Sequence, residues 1–439
     1  MAADALTRIR ARGHIGIRLG LGRMQALLDQ LGDPQRSLRG VLVAGTNGKG
    51  SVAAMVTAVL AQAGHSTAGA PSPHLHSYRE RVTIDGRPIG AAELDALLEE
   101  VLAASEPGED EFGPATEFEL LTAAAYLQAA REAVEVMVME VGLGGRLDAS
   151  NTWDPDVAAV THVGLDHQEF LGDTIESVAA EKAAIIKPGC RAVTGTEGEA
   201  LGVIRARATE VGASLTECAP LPVESMSRDG LLLRHDRLGS LRLPLLGMHQ
   251  AANAAVALGI LEALVEADVA VVPEDAIRDG FADVRWPGRL ELLEHEGTAV
   301  ILDGAHNPDG MAVLAHTVDV LRGSLPAGAA TLLLGVMRDK EVGDMLTALA
   351  ASPILQTSRC IATVVPDTDR ALPADELAAR WSALAGGAAE AEPDADAALD
   401  RALTYAQEAG GPLVIAGSLY LVGHLRARLV PGTIKDTDA

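Results

Sequence analysis

A glycine-rich stretch near the N-terminus has the composition of a phosphate-binding loop. It reads VAGTNGKGSVAAM over residues 43–55. Its glycines let backbone N–H groups approach a polyphosphate, its lysine supplies a positive charge, and its serine offers an oxygen to Mg²⁺. The spacing departs from the common G-x-x-x-x-G-K-[ST] pattern, because Gly50 separates Lys49 from Ser51. A flexible turn between a strand and a helix is the alternative.

The scarcity of lysine favours a nucleotide site over a plain turn. The chain has only five lysines, and one of them stands in this loop. The predicted nucleotide-binding residues are Thr46, Asn47, Gly48, Lys49, Gly50 and Ser51.

Two further loops follow strand-like runs and carry ionisable side chains: EVGLGGRLDASN at 140–151 and GLDHQEF at 164–170. A carboxylate at a strand end can bind Mg²⁺, and an arginine with an aspartate can hold a charged ligand. Because the carboxyl ends of parallel strands share one crevice, we expect these side chains to lie near the phosphate loop. A simple turn and solvated surface residues are the alternatives. The residues concerned are Glu140, Arg146, Asp148, His167 and, on the following helix, Lys182.

Three stretches further along could contribute to the same site. Asn253 lies four residues after His249 on one helix face, where a plain polar patch is the favoured alternative. Arg289, in WPGRLE, could reach a phosphate across a cleft. ILDGAHNPDG ends a strand with Asp303, which could accept hydrogen bonds from ribose. A helix N-cap by Asn307 is an equally natural role for this loop.

Short apolar runs alternate with longer helix-like segments along the chain, which predicts βαβ units and mostly parallel sheets. The first series of strands is predicted at 41–44, 134–141, 157–163 and 191–195, and the second at 299–303, 330–336, 360–365 and 412–417. The stretch 216–244 alternates apolar and polar residues instead, which is typical of antiparallel hairpins. The sequence therefore predicts an α/β protein with an N-terminal domain at 1–284, a connector at 285–298 and a smaller domain at 299–439.

Composition excludes several classes of protein. Hydrophobic residues make up 48% and charged residues 22% of the 439 residues, as in globular proteins. No apolar run reaches the length of a membrane span, and the N-terminus lacks the apolar core of a secretory signal, so we expect a cytoplasmic protein that binds no membrane. Three scattered cysteines favour reduced thiols over disulfides. The net charge of -26 argues against nucleic acid. A salt-rich cytoplasm and an arginine-biased coding sequence explain the scarcity of lysine equally well.

Taken in order, these stretches resemble the Mur ligase superfamily, and within it the folylpolyglutamate synthase and dihydrofolate synthase family. The resemblance covers nearly the whole chain. GTNGKG followed by serine is the phosphate loop of the superfamily, and SPHLHSYRERV at 72–82 separates the folate branch from the cell-wall branch. Other matching stretches are FELLTAAA at 118–125, EVGLGGRLDASN, HQAANAAVAL, PGRLE, DGAHNP and GSLYLVG at 417–423.

The resemblance implies a three-layer P-loop ATPase domain, a smaller Rossmann-like domain and an active site between them. It also implies ATP, two Mg²⁺ ions and a monomeric enzyme. Lys49 would bind the ATP phosphates, with Ser51 and Glu140 at one magnesium. His167 and Lys182 would hold the second magnesium, with Lys182 carboxylated by CO₂.

The resemblance assigns the remaining roles to residues that are distant in sequence. Asn253 and Asp303 would contact adenosine, and Arg289 the phosphates. The expected catalytic residues are Lys49, Lys182 and His306. The expected substrate residues are Ser72, Pro73, His74, Phe118 and Glu119 for the pterin-bearing acceptor, and Ser418 and Tyr420 with His306 for glutamate. Arg146 and Asp148 join the expected substrate residues because of their residue types and their glycine-rich loop, not because of the resemblance.

The reaction implied is the ATP-dependent joining of L-glutamate to dihydropteroate, to the γ-carboxylate of a folate, or to both, through an acyl phosphate. A ligase for another carboxylate, such as a cell-wall precursor, is the first alternative. A nucleotide-binding regulatory protein that has lost ligase chemistry is the second.

Overall fold

The computed structural model describes residues 4–13, 16–385 and 387–434. Their strands form three sheets, of eight, three and six strands. The first two sheets are built by the N-terminal part of the chain, and the third is built by the C-terminal part. No helix in these described ranges has the length and apolar composition that a membrane span requires.

The N-terminal part contains eleven strands and eleven α-helices among the described residues. The strands are β1 (Gly40–Ala44), β2 (Thr67–Ala70), β3 (Thr83–Ile84), β4 (Arg87–Pro88), β5 (Val136–Glu140), β6 (Val157–Val160), β7 (Arg191–Thr194), β8 (Ser214–Glu217), β9 (Val223–Ser227), β10 (Gly230–His235) and β11 (Gly239–Leu243). The helices are α1 (Ala5–Arg12), α2 (Gly22–Gln30), α3 (Lys49–Gln62), α4 (Ala91–Ser105), α5 (Glu109–Phe112), α6 (Glu117–Arg131), α7 (Gln168–Leu171), α8 (Ile175–Ala183), α9 (Gly198–Val211), α10 (Gln250–Glu266) and α11 (Glu274–Asp283).

The eight-stranded sheet is parallel at its centre and has the order β4-β3-β2-β5-β1-β6-β7-β8. Antiparallel pairing occurs only at one edge of this sheet, between β2 and β3 and between β3 and β4. Strand β1 shows why the sheet lies between two layers of helices. Leu42 and Ala44 face one apolar core, while Val41 and Val43 face another. Burial on both faces requires the continuous apolar run that identifies this strand in the sequence.

The three-stranded sheet has the order β11-β10-β9 and is antiparallel throughout. Its inward side chains, including Leu231 and Leu241, join the same core as α3 and α10. The predicted hairpins are therefore confirmed, although they begin at Val223 rather than near residue 216. Residues 214–217 form β8 and extend the main sheet in parallel.

The C-terminal part forms a mixed six-stranded sheet with the order β12-β13-β17-β14-β15-β16. Its strands are β12 (Glu291–His295), β13 (Thr298–Asp303), β14 (Thr331–Leu334), β15 (Arg359–Ala362), β16 (Glu390–Ala391) and β17 (Leu413–Ala416). Its helices are α12 (Pro308–Leu321), α13 (Val342–Ala350), α14 (Pro353–Gln356), α15 (Ala374–Ala385), α16 (Ala395–Ala409) and α17 (Leu419–Leu429). The predicted α/β architecture, with a mostly parallel first sheet and a smaller second one, is confirmed.

The connector between the two parts is shorter than the predicted 285–298. Strand β12 lies within that range and pairs antiparallel with β13, so it belongs to the C-terminal sheet. The segment that lies between α11 and β12 is 284–290. Single-sequence periodicity does not reveal β12, because its five residues, ELLEH, are too few to distinguish a strand from a turn of helix.

One side of helix α17 contacts the N-terminal part directly. Gly423 lies so close to the carbonyl oxygen of Leu75 that a Cβ at this position would collide with it. Nearby, Arg426 donates to both carboxylate oxygens of Glu291, at 2.7 and 2.8 Å, and its third nitrogen lies 3.1 Å from Nε2 of His76. The loop that contains Leu75 and His76 is thus fixed against the C-terminal sheet unit.

Replacing Gly423 by alanine tests this contact. We expect the free energy of unfolding to fall by about 1–3 kcal/mol, because the added methyl group forces α17 and the loop apart. Chemical denaturation followed by circular dichroism measures the change. Gly343→Ala is the matched control, since Gly343 also lies in a C-terminal helix but has open space around it. The control should be neutral or stabilising by up to about 1 kcal/mol, and equal losses in the two variants would contradict the contact.

Candidate active site

The glycine-rich loop joins β1 to α3 and its glycines are required by close contacts. Gly48 has a φ of 89° and lies against the side chain of Asn253, so a Cβ there would be both strained and obstructed. A Cβ at Gly50 would lie 2.6 Å from the indole ring of Trp286. The glycine between Lys49 and Ser51 is therefore explained by the packing of the connector onto the start of α3.

The lysine of this loop points back over its own backbone. Nζ of Lys49 donates to the carbonyl oxygens of Gly45 at 2.9 Å and Thr46 at 3.3 Å. Burial lowers the pKa of Lys49, while Glu140 and Asp166 act in the opposite direction. An ammonium at the N-terminus of α3, beside free backbone N–H groups, creates a site for anions.

Two oxygen donors lie at the same end of the sheet. Ser51, in the first turn of α3, is buried and accepts a hydrogen bond from Gln250 at 3.4 Å. Glu140 ends β5, is also buried, and accepts from the backbone N–H of Ser72 at 3.3 Å. Burial raises the pKa of Glu140, and Lys49 opposes that shift. Both residues line one cavity of about 570 Å³ together with the glycine-rich loop.

Lys182 lies on α8 and is almost completely buried, with 4% of its surface exposed. Within the described part of the chain its ammonium group makes no hydrogen bond or ion pair. Burial, followed by repulsion from Lys49, lowers its pKa to about 7. The GLGG turn brings α8 close, since a Cβ at Gly145 would lie 2.6 Å from the carbonyl oxygen of Glu181. This turn therefore has a packing role as well as a position at the cavity.

His167 stands in a network that joins the two sheet units. Asp166 forms an ion pair of 2.9 Å with Lys340, which follows β14 in the C-terminal part. Nζ of Lys340 also lies 3.4 Å from Nε2 of His167. Asn307 donates to Asp166 at 3.2 Å and to Asn47 of the glycine-rich loop at 3.1 Å. Burial lowers the pKa of His167, with Asp166 opposing it.

The loop after β13 supplies the C-terminal wall of the cavity. Asp303 accepts from the backbone N–H groups of Leu290 at 2.7 Å and Ala305 at 2.9 Å, and so fixes the connector against the sheet. The guanidinium of Arg289 lines the cavity and makes no hydrogen bond to any described residue. The predicted N-cap is confirmed, since Asn307 accepts from Gly310 N–H at 2.8 Å.

His306 is held in a defined tautomer by its own loop. Its Nδ1 lies 2.8 Å from the carbonyl oxygen of Gly304. A carbonyl oxygen only accepts, so Nδ1 carries the proton and Nε2 keeps its lone pair. Burial lowers the pKa of His306 to about 4, which makes the ring neutral near pH 7.

A second cavity, of about 400 Å³, adjoins the first. We call it the acceptor cavity and the first one the phosphate cavity. The two cavities share part of their lining, namely Ser72, Pro73, Gly142, Leu143, His167 and His306. The acceptor cavity is also lined by Phe118, Glu119, Ser418 and Tyr420, as the resemblance implies. The residues expected at the glutamate and acceptor pockets thus come together from both sheet units.

Four of the residues predicted to contact substrate have side chains that contact other protein groups, although two of them, Glu119 and Asp148, also line the acceptor cavity. Glu119 closes a capping box with Thr116 at the start of α6 and forms an ion pair with Arg23. Asp148 accepts from N–H groups inside its own loop. The side chain of Arg146 is 56% exposed and forms an ion pair with Glu181. The ring of His74 contacts the ring of Tyr78 in a tilted arrangement, with 4.3 Å between their centres. Neither Arg146 nor His74 is among the described residues that line the two cavities.

Sequence reasoning missed several residues of the two cavities. Lys340, Asn307 as an interdomain donor, and Arg81 in the acceptor cavity are the most prominent. The scarcity of lysine is the signal that could have identified Lys340, because it follows a buried strand, just as Lys49 does. The capping role of Glu119 was also visible as a T-x-x-E pattern.

Comparison with known proteins gives concordant results for both parts of the chain. The family model of the Mur ligase middle domain matches residues 43–261, and that of the Mur ligase glutamate ligase domain matches residues 288–419. The dihydrofolate synthase/folylpolyglutamate synthase of Bacillus subtilis is 35% identical over 364 residues, covering 79% of this chain and 82% of that protein. The chain spans only about half the length, 50% and 52%, of two probable bifunctional folylpolyglutamate synthase/dihydropteroate synthases, from Haloferax volcanii and Halobacterium salinarum.

Solved structures are similar over nearly the full length. Folylpolyglutamate synthase of Mycobacterium tuberculosis complexed with ADP and AMPPCP has a TM-score of 0.85 at 32% identity, covering 98% of this chain and 100% of that one. The Escherichia coli FolC in complex with DHPP and ADP has a TM-score of 0.83 at 29% identity, covering 97% and 98%. The similarity extends over both sheet units, and the chain belongs to the folylpolyglutamate synthase/dihydrofolate synthase family of Mur ligases.

Proposed function

We propose that this protein is an ATP-dependent ligase that joins L-glutamate to the carboxylate of dihydropteroate, of a folate, or of both. The observation that carries the proposal is the junction of the two cavities, where Ser72, His167 and His306 border both. A phosphoryl group bound in the phosphate cavity can therefore meet a carboxylate held in the acceptor cavity. The similar proteins are folylpolyglutamate and dihydrofolate synthases, which favours this folate reaction over the cell-wall alternative.

In the first step, the γ-phosphoryl group of ATP moves to the acceptor carboxylate, and ADP leaves. Lys49, the free N–H groups of the glycine-rich loop and the unpaired guanidinium of Arg289 would bind the phosphates and neutralise charge as it shifts. Asn253, which donates to Gln250 at 2.9 Å, and Asp303 would border the nucleoside. Two of the similar solved structures are complexed with ADP, which supports a nucleotide site in this chain.

The donors present suit magnesium at the first of the two expected positions. Ser51 and Glu140 supply hard oxygen atoms beside the phosphate loop, and no described group of three His, Cys, Asp or Glu residues forms a complete metal cage. Mg²⁺ is usually held by one or two protein oxygens together with phosphate oxygens and water. Bound there, the ion would neutralise phosphate charge.

The second expected position requires a change at Lys182. As an ammonium this side chain would repel a cation, whereas a carbamate on Nζ would be an anion with two oxygen donors. Its burial and its lowered pKa of about 7 favour the neutral amine that reacts with CO₂. We therefore propose that Lys182 is carboxylated and holds a second magnesium with His167.

In the second step, the amine of L-glutamate attacks the acyl phosphate, and phosphate leaves as the amide forms. The lone pair on Nε2 of His306 would accept a proton from this amine. Ser418, at the N-terminus of α17, and Tyr420 line the same cavity and would orient the amino acid. The contacts of Lys340 and Asn307 across the cleft would help to exclude water from the anhydride.

We further propose that the enzyme acts in the cytoplasm, as its composition suggests, and as a monomer, as the family resemblance implies. An activity assay with each pterin acid in turn identifies the acceptor that the enzyme prefers.

The activity is tested with purified protein, ATP, Mg²⁺ and L-glutamate. We expect glutamate-dependent release of ADP with dihydropteroate, with tetrahydrofolate or with both, and a product heavier by one glutamyl residue in mass spectrometry. Lys49→Ala is the matched negative control and should lower kcat by roughly 100- to 1,000-fold, the usual effect of removing one group that stabilises transition-state charge. No turnover with either acceptor would refute the proposed function, and full activity of Lys49→Ala would refute the site.

The carbamate is tested by nuclear magnetic resonance with ¹³C-labelled bicarbonate. We expect a carbamate signal in the wild-type protein with Mg²⁺ and a non-hydrolysable ATP analogue, because neutral Lys182 can react with CO₂. Lys182→Arg keeps a cation but cannot form this carbamate, and it should give no such signal. A signal that persists in the variant would place the label elsewhere. Its absence from the active wild-type enzyme would contradict the carbamate.

A further inference from the structure

The acceptor cavity contains a buried arginine whose guanidinium forms no hydrogen bond or ion pair with any described residue. Arg81 is 8% exposed and lines this cavity but not the phosphate cavity. Within the described part of the chain, its guanidinium makes no hydrogen bond and no ion pair. Burying an unpaired charge is costly, so such a group is expected to gain a partner in the working state.

The immediate surroundings of Arg81 are aromatic or already engaged. Its Cζ lies 5.8 Å from the centre of the Phe118 ring. The carboxylate that attracts it most strongly is that of Glu117, which accepts the hydroxyl hydrogen of Tyr78 at 3.0 Å and forms no ion pair with Arg81. Glu140 also attracts the guanidinium, from the edge of the phosphate cavity. Arg81 therefore retains its capacity to bind an anion.

The local fold holds Arg81 in this position. It ends a single helical turn, Tyr78–Arg81, which is closed by a capping box between Ser77 and Glu80. The neighbouring Arg79 is used by the fold, since its Nε donates to the carbonyl oxygen of Ile89 at 2.6 Å. Arg79 and Glu80 thus form hydrogen bonds that stabilise this segment. Of the three consecutive charged residues 79–81, only Arg81 lines the cavity with its hydrogen-bond donors free.

We propose that Arg81 binds a substrate carboxylate in the acceptor cavity. The inference rests on the proposed ligase function. A guanidinium forms two parallel hydrogen bonds to a carboxylate, which suits an amino-acid substrate. In the proposed function, Lys49 and Arg289 of the phosphate cavity bind the phosphate groups. The carboxylate belongs either to the incoming L-glutamate or to the terminal glutamyl residue of a folate, because both carry an α-carboxylate that does not react.

Steady-state kinetics of Arg81→Met and Arg81→Lys test the proposal, with dihydropteroate and with tetrahydrofolate as acceptors. Methionine fills the buried space without a charge, so folding should be preserved. We expect KM for one carboxylate substrate to rise roughly 10- to 100-fold in Arg81→Met, as for the loss of a charged hydrogen bond, with a smaller change in kcat. Arg81→Lys should recover part of the loss. Arg87→Ala, which removes an exposed arginine from β4, is the control and should leave every KM unchanged.

The two acceptors distinguish the two sources of the carboxylate. Dihydropteroate has no carboxylate besides the reacting one. A higher KM for L-glutamate with both acceptors assigns Arg81 to the incoming amino acid, and a higher KM for tetrahydrofolate alone assigns it to the acceptor. Unchanged KM values in active Arg81→Met would overturn the proposal, whether or not the melting temperature or kcat falls. Wild-type protein inactive with both acceptors would instead refute the ligase function, and this role of Arg81 with it.

Discussion

The contacts of Asp166 hold the cleft together. This carboxylate follows β6 in the first sheet unit, and it accepts from Lys340 at 2.9 Å and from Asn307 at 3.2 Å in the second. The side chains of Asp166 and Lys340 are 12% and 10% exposed, so the pair is largely shielded from water. Removing one partner of such a pair typically costs about 3–5 kcal/mol, because the other charge stays buried. The relative position of the two sheets at the site depends on this contact.

The same network connects the domain interface to the chemistry. Asn307 caps α12 and also donates to Asn47 of the glycine-rich loop, so the start of a C-terminal helix and the phosphate loop are fixed to each other. His167, adjacent to Asp166, borders both cavities. A displacement of one sheet unit would therefore alter the phosphate site and the acceptor site together.

Lysines are scarce in this acidic chain, and three of the five lie where the proposed substrates carry negative charge. Of the five lysines, Lys49, Lys182 and Lys340 line the cleft, and Lys187 instead donates to the backbone carbonyls of residues 151 and 153. The fifth, at position 435, lies outside the described residues. Burial lowers the pKa of Lys49 and Lys182 and raises that of Glu140. Polyanionic substrates would offset the positive charge of Lys49 and Lys340, while the lowered pKa of Lys182 suits its proposed carboxylation.

Local signals in the sequence were sufficient for the parallel strands β1, β5, β6 and β7 of the first sheet, for β13, β14, β15 and β17 of the C-terminal sheet, and for most residues that follow them. Strand β1 and the loop after it are examples, because a run of buried apolar residues and a glycine-rich turn are encoded within about a dozen positions. Six strands were not predicted, namely β2, β3, β4, β8, β12 and β16, since their segments of two to five residues lack periodicity and pair only in the tertiary structure. Lys340 and Arg81 were missed for a related reason: their positions depend on contacts between distant segments.

The transfer of oxygen from the acceptor to phosphate tests the central claim most directly, namely that the two cavities bring a phosphoryl group and a carboxylate together. The acceptor is labelled with ¹⁸O in its reacting carboxylate, and the phosphate released in the complete reaction is examined by mass spectrometry. An acyl phosphate requires one labelled oxygen to pass into phosphate in each turnover. Phosphate without label, released at the same rate as the amide forms, would contradict the account.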